Sequence, residues 1–180
     1  MEENRKLKVE FGAITEKNVM QLRRLNHIIF PVKYHDKFYT DILNTPEEFT
    51  TFAYWNGFVV GAVCSRFEAS SNGRRNVYIM TLGVLAAYRG RSIGSQLLER
   101  VLSACEAYDD LDHIYLHVQT SNTEALNFYR CFGFEQTDII RNYYKRIEPP
   151  DCYILKKRLS GSQEDAQNTE EVVIELVAES

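Results

Sequence analysis

The segment YIMTLGV at residues 78–84 is followed by YRGRSIG at residues 88–94. The first segment has the apolar and β-branched residues typical of a strand. The second places arginine and glycine directly before an amphipathic helical pattern. The apolar face of that pattern consists of Ile93, Leu97, Leu98, Val101, Leu102 and Cys105. The sequence therefore predicts a strand, a loop and a helix N-terminus in direct succession.

The loop before this helix is a candidate pyrophosphate site. Free N–H groups at a helix N-terminus, the helix dipole, and the side chains of Arg89 and Arg91 all attract phosphate. An ordinary strand-to-helix turn that uses glycine for its geometry has the same pattern, so the motif alone leaves both interpretations open. The loop is neither a Walker loop nor a GxGxxG motif, because its glycines are spaced differently and no Gly-Lys-Ser/Thr is present. Kinase and dehydrogenase functions are therefore disfavoured.

The residues before this unit predict an antiparallel meander. Strands at 50–55 and 58–67 flank Asn56-Gly57, a strong hairpin signal. After a turn at 70–73 comes a third strand, at 76–85.

Further upstream, an apolar alternation around Leu7, Val9 and Phe11 predicts a first strand. Thr15 is predicted to cap a helix that ends at Pro31. Residues 36–43 are predicted to form a second, short helix.

Downstream, strands alternate with helices. A strand at 113–119 leads into a capping box at 121–124, and the helix that the box opens stops at Gly133. Two more strands follow, at 134–139 and 152–159. The fold class is thus α/β, or α+β with a mixed sheet: an antiparallel N-terminal meander followed by a βαβ half.

The chain has 180 residues, 44% of them hydrophobic and 26% charged, which indicates a single globular domain. All 21 Lys and Arg residues precede Ser160, whereas six acidic residues follow it. Without those six acids the net charge changes from −4 to +2. The charge predicts a mildly basic domain at 1–159, too weakly basic for nucleic acid but able to accept a polyanionic small molecule, and an acidic disordered tail at 160–180.

Targeting and metal-binding signals are weak. The longest uncharged run is split by Asn56-Gly57, so no transmembrane helix is predicted, and the N-terminus lacks the features of a signal peptide. The four cysteines show no metal-finger spacing, so we predict reduced thiols and no metal site. None of them resembles a catalytic nucleophile.

Several blocks resemble a known family. Arg89-x-x-Ser92-x-Gly94 after a strand, the strand at 115–118, and Asn122-x-x-Ala125-x-x-Phe128-Tyr129-x-x-x-Gly133-Phe134 resemble the acetyl-coenzyme A site of GNAT acetyltransferases. Residues 30–32, 78–83, 115–119 and 142–149 resemble more closely the San, or NatE-type, N-terminal acetyltransferases. The resemblance covers most of residues 7–159 and implies a GNAT fold with acetyl-CoA as cofactor.

The cofactor-binding residues that this resemblance implies are Leu82, Val84, Arg89, Gly90, Arg91, Ser92, Ile93, Gly94, Ser95, Asn122 and Tyr129. Backbone N–H groups near Leu82 and Val84 would polarise the thioester carbonyl, and the Tyr129 hydroxyl would stabilise or protonate the leaving thiolate. The sequence departs from the family at Ser92, where the pattern has glycine. A side chain there crowds a pyrophosphate, although its hydroxyl is also able to donate to it.

Tyr78 and His117 are the catalytic candidates that the resemblance implies. Taken singly, each is more often a packing residue. If their strands are neighbours, the two side chains flank one cleft and hold a water that takes the proton from an attacking amine, with the ordinary histidine pKa of about 6.5 suited to this step. An α-amino group, with a pKa of about 7.7–8.0, needs only modest help compared with a lysine at about 10.4.

An apolar and aromatic set lies in two loop-like regions. Its members are Phe30, Pro31, Val32, Tyr34, Tyr143, Tyr144 and Ile147. The resemblance implies that they line a pocket for the first side chain of a peptide, together with Met80 on the predicted strand at 76–85. Plain packing of these residues on the sheet is the alternative.

The resemblance implies an N-terminal acetyltransferase for proteins that begin with Met and a hydrophobic residue. Two alternatives remain: a GNAT enzyme for lysines, histones or small amines, and a catalytically weak subunit of a ribosome-associated N-terminal acetyltransferase complex. The expected partners are protein N-termini and the catalytic and auxiliary subunits of such a complex, without nucleic acid or membrane. The expected location is the cytoplasm, with the nucleus as a second compartment.

Overall fold

A computed structural model describes residues 6–159 and 178–179 of the chain. Its strands are β1 (Glu10–Ala13), β2 (Lys33–Tyr34), β3 (Thr50–Trp55), β4 (Phe58–Ala69), β5 (Arg75–Val84), β6 (Leu111–Gln119), β7 (Glu135–Ile140), β8 (Cys152–Arg158) and β9 (Ala178–Glu179). Its α-helices are α1 (Val19–Ile29), α2 (Asp36–Leu43), α3 (Ile93–Cys105) and α4 (Thr123–Cys131). The predicted disordered tail lies outside the described residues except for β9, which pairs with β2.

Seven strands form one mixed sheet in the order β1-β3-β4-β5-β6-β8-β7. β3, β4 and β5 are the predicted antiparallel meander, and the Asn56-Gly57 turn joins the first two of them. β5 and β6 are parallel and are connected through α3. The prediction of a mixed sheet with a βαβ half is confirmed.

The parallel pair β5 and β6 separates partway along its length. The pairing register runs from Arg75↔Leu111 to Tyr78↔Tyr115, whereas β5 continues to Val84 and β6 to Gln119. Beyond Tyr78, this edge of β5 therefore has backbone N–H and C=O groups that β6 does not pair within the described chain. Such groups are strong hydrogen-bonding partners for a ligand.

Helices cover both faces of the sheet, because alternate residues of a strand point to opposite sides. On one face, α3 and α4 bury Leu97, Val101 and Leu126 against strand residues such as Val63 and Ile114. On the other face, α1 and α2 bury Leu22, Leu25, Phe38 and Ile42 against Phe52, Ala62 and Cys64. The α1–α2 connection therefore lies over the face of the sheet that carries the site described below.

Two helix starts differ from prediction. α1 begins at Val19 after Asn18, whose Oδ1 accepts from the Thr15 backbone N–H at 2.8 Å, so Thr15 belongs to the preceding turn and is not the cap. α4 is capped by Asn122, whose Oδ1 accepts from the Ala125 N–H at 3.1 Å, and not by the first residue of the predicted capping box. Each prediction chose the wrong one of two nearby polar residues able to serve as a cap.

Other boundaries shift by a few residues, as β1 does from the predicted alternation around Val9 to Glu10–Ala13. Among the described residues no helix is long and apolar enough to cross a membrane.

Candidate active site

Tyr78 and His117 are in direct contact. The Tyr78 hydroxyl lies 2.9 Å from Nδ1 of His117, and the two ring centroids are 5.3 Å apart. Tyr78 lies at the last paired position of β5 and β6, and His117 is two residues further along β6. The strand separation therefore brings together the two residues that the sequence resemblance singled out.

Burial keeps both side chains neutral. It lowers the pKa of His117 to about 4, and the charge of Glu68 opposes this shift. Burial also raises the pKa of Tyr78 well above its ordinary value, with Tyr143 adding to the shift. The pKa of about 6.5 that a solvated imidazole has therefore does not apply to His117, because burial disfavours the charged form. At neutral pH His117 is an uncharged proton acceptor.

A cavity of about 220 Å³ opens beside this pair. All eight residues predicted for the peptide pocket line it, seven from the two loop-like regions and Met80 from β5: Phe30, Pro31, Val32, Tyr34, Met80, Tyr143, Tyr144 and Ile147. The two loop-like regions that the sequence kept apart, 30–34 and 143–147, thus face each other across one space. These side chains therefore line one common cavity, and some of them, such as Tyr34 and Met80, also pack against the core.

Gly83 determines how closely Phe30 approaches the sheet. A Cβ at residue 83 would lie 2.8 Å from Cζ of Phe30 and 3.0 Å from Cγ2 of Ile29. Those distances leave no room for a side chain, so glycine allows the end of α1 to rest directly on β5. Phe30 also packs edge-on against Tyr34, with 6.0 Å between the ring centroids.

Tyr143 connects the opposite wall of the cavity to the catalytic pair. Its ring centroid lies 5.0 Å from that of His117, and its hydroxyl is hydrogen-bonded to Tyr78. Tyr143 also packs edge-on against Tyr144 at 4.9 Å. One cavity wall is therefore built from stacked aromatic rings that reach the proton-transfer residues.

The predicted phosphate loop lies at the N-terminus of α3. Gly90 has φ +71° and Ser92 has φ +62°, so both residues adopt the left-handed conformation. No side chain caps the helix, and its first turn has no acidic residue. The N–H groups at this end therefore carry a positive partial charge without a competing carboxylate, which fits an anionic ligand.

The side chains of this loop are not equally available. Ile93 is buried in the core, which leaves only its backbone N–H for a ligand. Arg89 and Arg91 are exposed, and Nε of Arg89 donates to the Val84 carbonyl at 3.1 Å. Gly94 and Ser95 are half-buried in the first turn of α3.

The remaining predicted cofactor residues flank the cavity. Leu82 lines it, and Val84 is buried further along the β5 edge that β6 leaves unpaired. Asn122 and Tyr129 also line it, although the Asn122 side-chain oxygen is already used to cap α4. Burial raises the pKa of Tyr129, so its hydroxyl keeps its proton at neutral pH. None of residues 88–95 lines the cavity, but Leu82 connects the two, since its Cδ2 would lie 3.7 Å from a Cβ at residue 94.

Arg66, Glu68 and Tyr115 also lie in this region, although they are not among the site residues predicted from the sequence. Glu68 accepts hydrogen bonds from both of the others, and the Tyr115 ring lies 4.9 Å from that of Tyr78. The available signal was an arginine and a glutamate two residues apart within an otherwise apolar strand. Among the described residues, no group of three or more His, Cys, Asp or Glu could hold a metal ion.

The chain is similar in sequence to known acetyltransferases. A family model described as "Acetyltransferase (GNAT) family" matches residues 19–134. The chain is 51% identical over 152 residues to N-alpha-acetyltransferase 50 of Danio rerio, covering 84% of this chain and 89% of that protein. It is 47% identical over 151 residues to the probable N-acetyltransferase san of Drosophila melanogaster, covering 84% and 81%.

A solved structure agrees with the fold over most of the chain. It is Arabidopsis thaliana Naa50 in complex with the bisubstrate analogue CoA-Ac-MVNAL, with a TM-score of 0.79 and 51% identity. The match covers 84% of this chain and 99% of that one. The likeness therefore extends over most of this chain and nearly all of that one.

Proposed function

The chain belongs to the GNAT acetyltransferase family, and we propose that its cavity binds the N-terminus of a substrate protein. The proposed substrates begin with Met followed by a hydrophobic residue. The chain is an N-alpha-acetyltransferase similar to Naa50 and San, and its acetyl donor is acetyl-CoA. The observation that carries the substrate proposal is the enclosure of one apolar cavity by both loops beside the Tyr78–His117 pair.

The α3 N-terminus fits the donor. Its uncapped N–H groups, its lack of a first-turn acid and the nearby Arg89 and Arg91 suit a pyrophosphate. The N–H groups of β5 near Leu82 and Val84 lie beyond the paired register, so they are placed to donate to a carbonyl oxygen. When bound, acetyl-CoA supplies the thioester that the amine attacks.

His117 is the proton acceptor in this proposal. When its Nδ1–H donates to the Tyr78 oxygen, Nε2 is left as the basic atom, and Nε2 is buried without a partner among the described protein atoms. The Tyr78 hydroxyl can then donate to Tyr143, which is consistent with the hydrogen bond between those two residues. The proton leaves the α-amino nitrogen as that nitrogen attacks, either directly to Nε2 or through a water. The Tyr129 hydroxyl, which lines the same cavity and keeps its proton, would stabilise the departing thiolate by a hydrogen bond or protonate it.

The cavity favours Met as the first residue. Its walls combine the flexible Met80 with Phe30, Val32 and Ile147, and burying a methionine side chain in such a site gains about 1.5–3 kcal/mol. The hydroxyls of Tyr34 and Tyr143 on its two walls are suited to hold the peptide backbone.

The acceptor amine is tested with two peptides of equal composition. One begins with free Met-Leu and contains an internal lysine, and the other has the same sequence with its N-terminus blocked. Fragmentation mass spectrometry after incubation with acetyl-CoA locates the acetyl group. We expect modification of the α-amine of the free peptide and almost none of the blocked one. Faster modification of the internal lysine would instead favour the lysine or small-amine function.

We further propose that the enzyme works in the cytoplasm, with the nucleus as a second compartment, on nascent or mature protein N-termini. A ribosome-associated N-terminal acetyltransferase complex, with its catalytic and auxiliary subunits, is the proposed assembly partner. Affinity purification of the tagged chain from cytoplasmic and nuclear fractions tests both statements.

A further inference from the structure

Next to Tyr78 lies a group of three side chains that do not line the cavity: Arg66, Glu68 and Tyr115. Arg66 on β4, Tyr78 on β5 and Tyr115 on β6 occupy one row across the sheet, because each is paired with the next in the strand registers. Glu68 follows Arg66 by two residues and so projects from the same face. The group therefore lies beside Tyr78 on the same face of the sheet, outside the lining of the cavity.

Glu68 joins the other two members of this group. Its Oε1 accepts from Nε of Arg66 at 2.9 Å and from Nη2 at 2.6 Å, and its Oε2 accepts from the Tyr115 hydroxyl. The side chains of Arg66 and Glu68 are 19% and 26% exposed, so water competes only weakly with these bonds. Because both carboxylate oxygens are engaged, the position of the Tyr115 hydroxyl is fixed.

Tyr115 and Arg66 in turn contact Tyr78. The Tyr115 and Tyr78 rings lie 4.9 Å apart at an interplanar angle of 30°, and the guanidinium carbon of Arg66 is 5.3 Å from the centroid of Tyr78. The Tyr115 ring also meets the His117 ring edge-on at 5.9 Å. Tyr78 and His117, the partners of the 2.9 Å hydrogen bond, thus both contact the Tyr115 ring, and the Tyr115 hydroxyl is bonded to Glu68.

The charges of the group act on both members of the catalytic pair. Burial raises the pKa of Tyr78 and Arg66 opposes that rise, whereas burial lowers the pKa of His117 and Glu68 opposes that fall. Asp41 on α2 lies 3.8 Å from Arg66 and adds a second carboxylate to it. The group is therefore placed to influence both reacting residues without touching a substrate.

We infer that Glu68 and Tyr115 are positioning residues for the Tyr78–His117 pair, with Glu68 fixing the ring against which Tyr78 is aligned. The inference rests on the proposed function, since it assigns both residues to the proton-transfer step of that reaction. Misplacing a reacting group by about 1 Å can lower a rate about 10²-fold, so a contact of this kind matters even at a distance from the substrate.

Two variants change the group with little change in shape. Tyr115→Phe keeps the ring and removes the hydroxyl that Glu68 holds, and Glu68→Gln keeps the shape and removes the charge. Each is expected to lower kcat about tenfold or more and to leave KM for the peptide within about twofold. Asp110→Asn is the matched control, because it alters an exposed ion pair with Arg75 at the start of β5 and should leave kcat unchanged.

A double variant separates positioning from general stability. If Tyr115 acts through Tyr78, adding Tyr115→Phe to Tyr78→Phe lowers kcat no further. If the decreases in kcat multiply, the two residues act independently and the inference is wrong.

A second readout does not depend on acetylation. The ¹⁵N chemical shifts of the His117 ring should move in Tyr115→Phe and in Glu68→Gln but not in Asp110→Asn. Unchanged shifts in the first two variants would overturn the inference. A wild-type protein that fails to acetylate any α-amine would overturn the proposed function and leave the NMR result intact.

Discussion

Tyr78 of β5 and His117 of β6 are joined by a 2.9 Å hydrogen bond at the point where the two parallel strands stop pairing. The bond crosses the gap that forms the cavity, so its geometry depends on the angle at which the strands separate. On one side of the pair lies the aromatic wall that begins with Tyr143, and on the other lies the Tyr115 ring. The fold therefore holds the proton-transfer residues through several independent contacts.

Removing either partner of this bond should slow the chemical step. Tyr78→Phe and His117→Ala are each expected to lower kcat about 10²-fold or more, because positioned acid–base groups typically supply about 10²–10⁴. Acetyl-CoA affinity, measured by titration calorimetry, should stay nearly unchanged, since neither residue lies in the α3 loop. A variant that keeps wild-type turnover at pH 7 would show that its residue is only structural.

The pH dependence of kcat/KM should follow the substrate and not the histidine. His117, with a pKa of about 4, has already lost its proton above pH 6. Between pH 6 and 9 the rate should rise with the deprotonation of the α-amine, at about pH 7.7–8.0, and then level off. An inflection near pH 6.5 that disappears in His117→Ala would show that the imidazole titrates with an ordinary pKa.

Ser92→Gly should stabilise the protein. A non-glycine residue in the left-handed conformation costs about 1–2 kcal/mol, and the extra freedom of glycine in the unfolded chain offsets part of the gain. We expect the free energy of unfolding in urea to rise by about 0.5–1 kcal/mol. Acetyl-CoA affinity should change by less than about tenfold, or about 1.4 kcal/mol.

The matched control for Ser92→Gly is Gly90→Ala. Gly90 has φ +71° in the same loop, so this change introduces the strain that the first one removes. It should lower the free energy of unfolding by about 1 kcal/mol. Two changes of the same sign would contradict the assignment of strain to Ser92.

The hairpin and the short helix α2 could be predicted to the residue at several ends because their signals are local. The tight turn of this hairpin requires two consecutive positive φ angles. Asn56 and Gly57 adopt them, and few other dipeptides do so readily. The starts of α1 and α4 could not be predicted to the residue, because each has two possible caps. These are Thr15 and Asn18 for α1, and Ser121 and Asn122 for α4. Which residue of each pair acts as the cap depends on backbone geometry that the sequence does not display.

Many of the residues that line the cavity could be named from the sequence, but their electrostatics could not. The family resemblance identified Tyr78 and His117 as catalytic candidates. The low pKa of His117 could not be predicted, because it arises from burial between strands and loops distant in sequence. Arg66 and Glu68 were overlooked because charged residues on a strand usually face solvent. Only the pairing of β4, β5 and β6 brings them next to Tyr115.

Charge in the apolar cavity should remove the preference for methionine. Val32→Lys or Ile147→Lys places an ammonium among side chains that offer it no counter-ion, and an unpaired buried charge is costly to desolvate. We expect kcat/KM for a Met-Leu peptide to fall toward that for a Ser-Ser peptide. Ile28→Lys is the control, since Ile28 is an exposed residue of α1, and it should leave the preference intact.

The most direct test of the methionine pocket is the ratio of kcat/KM for two peptides that differ only in their first two residues, Met-Leu and Ser-Ser. Burial of the methionine side chain at about 1.5–3 kcal/mol predicts a ratio of about 10 to 150 in favour of Met-Leu. Equal values for the two peptides would contradict the assignment of the cavity to the first side chain of an N-terminal substrate.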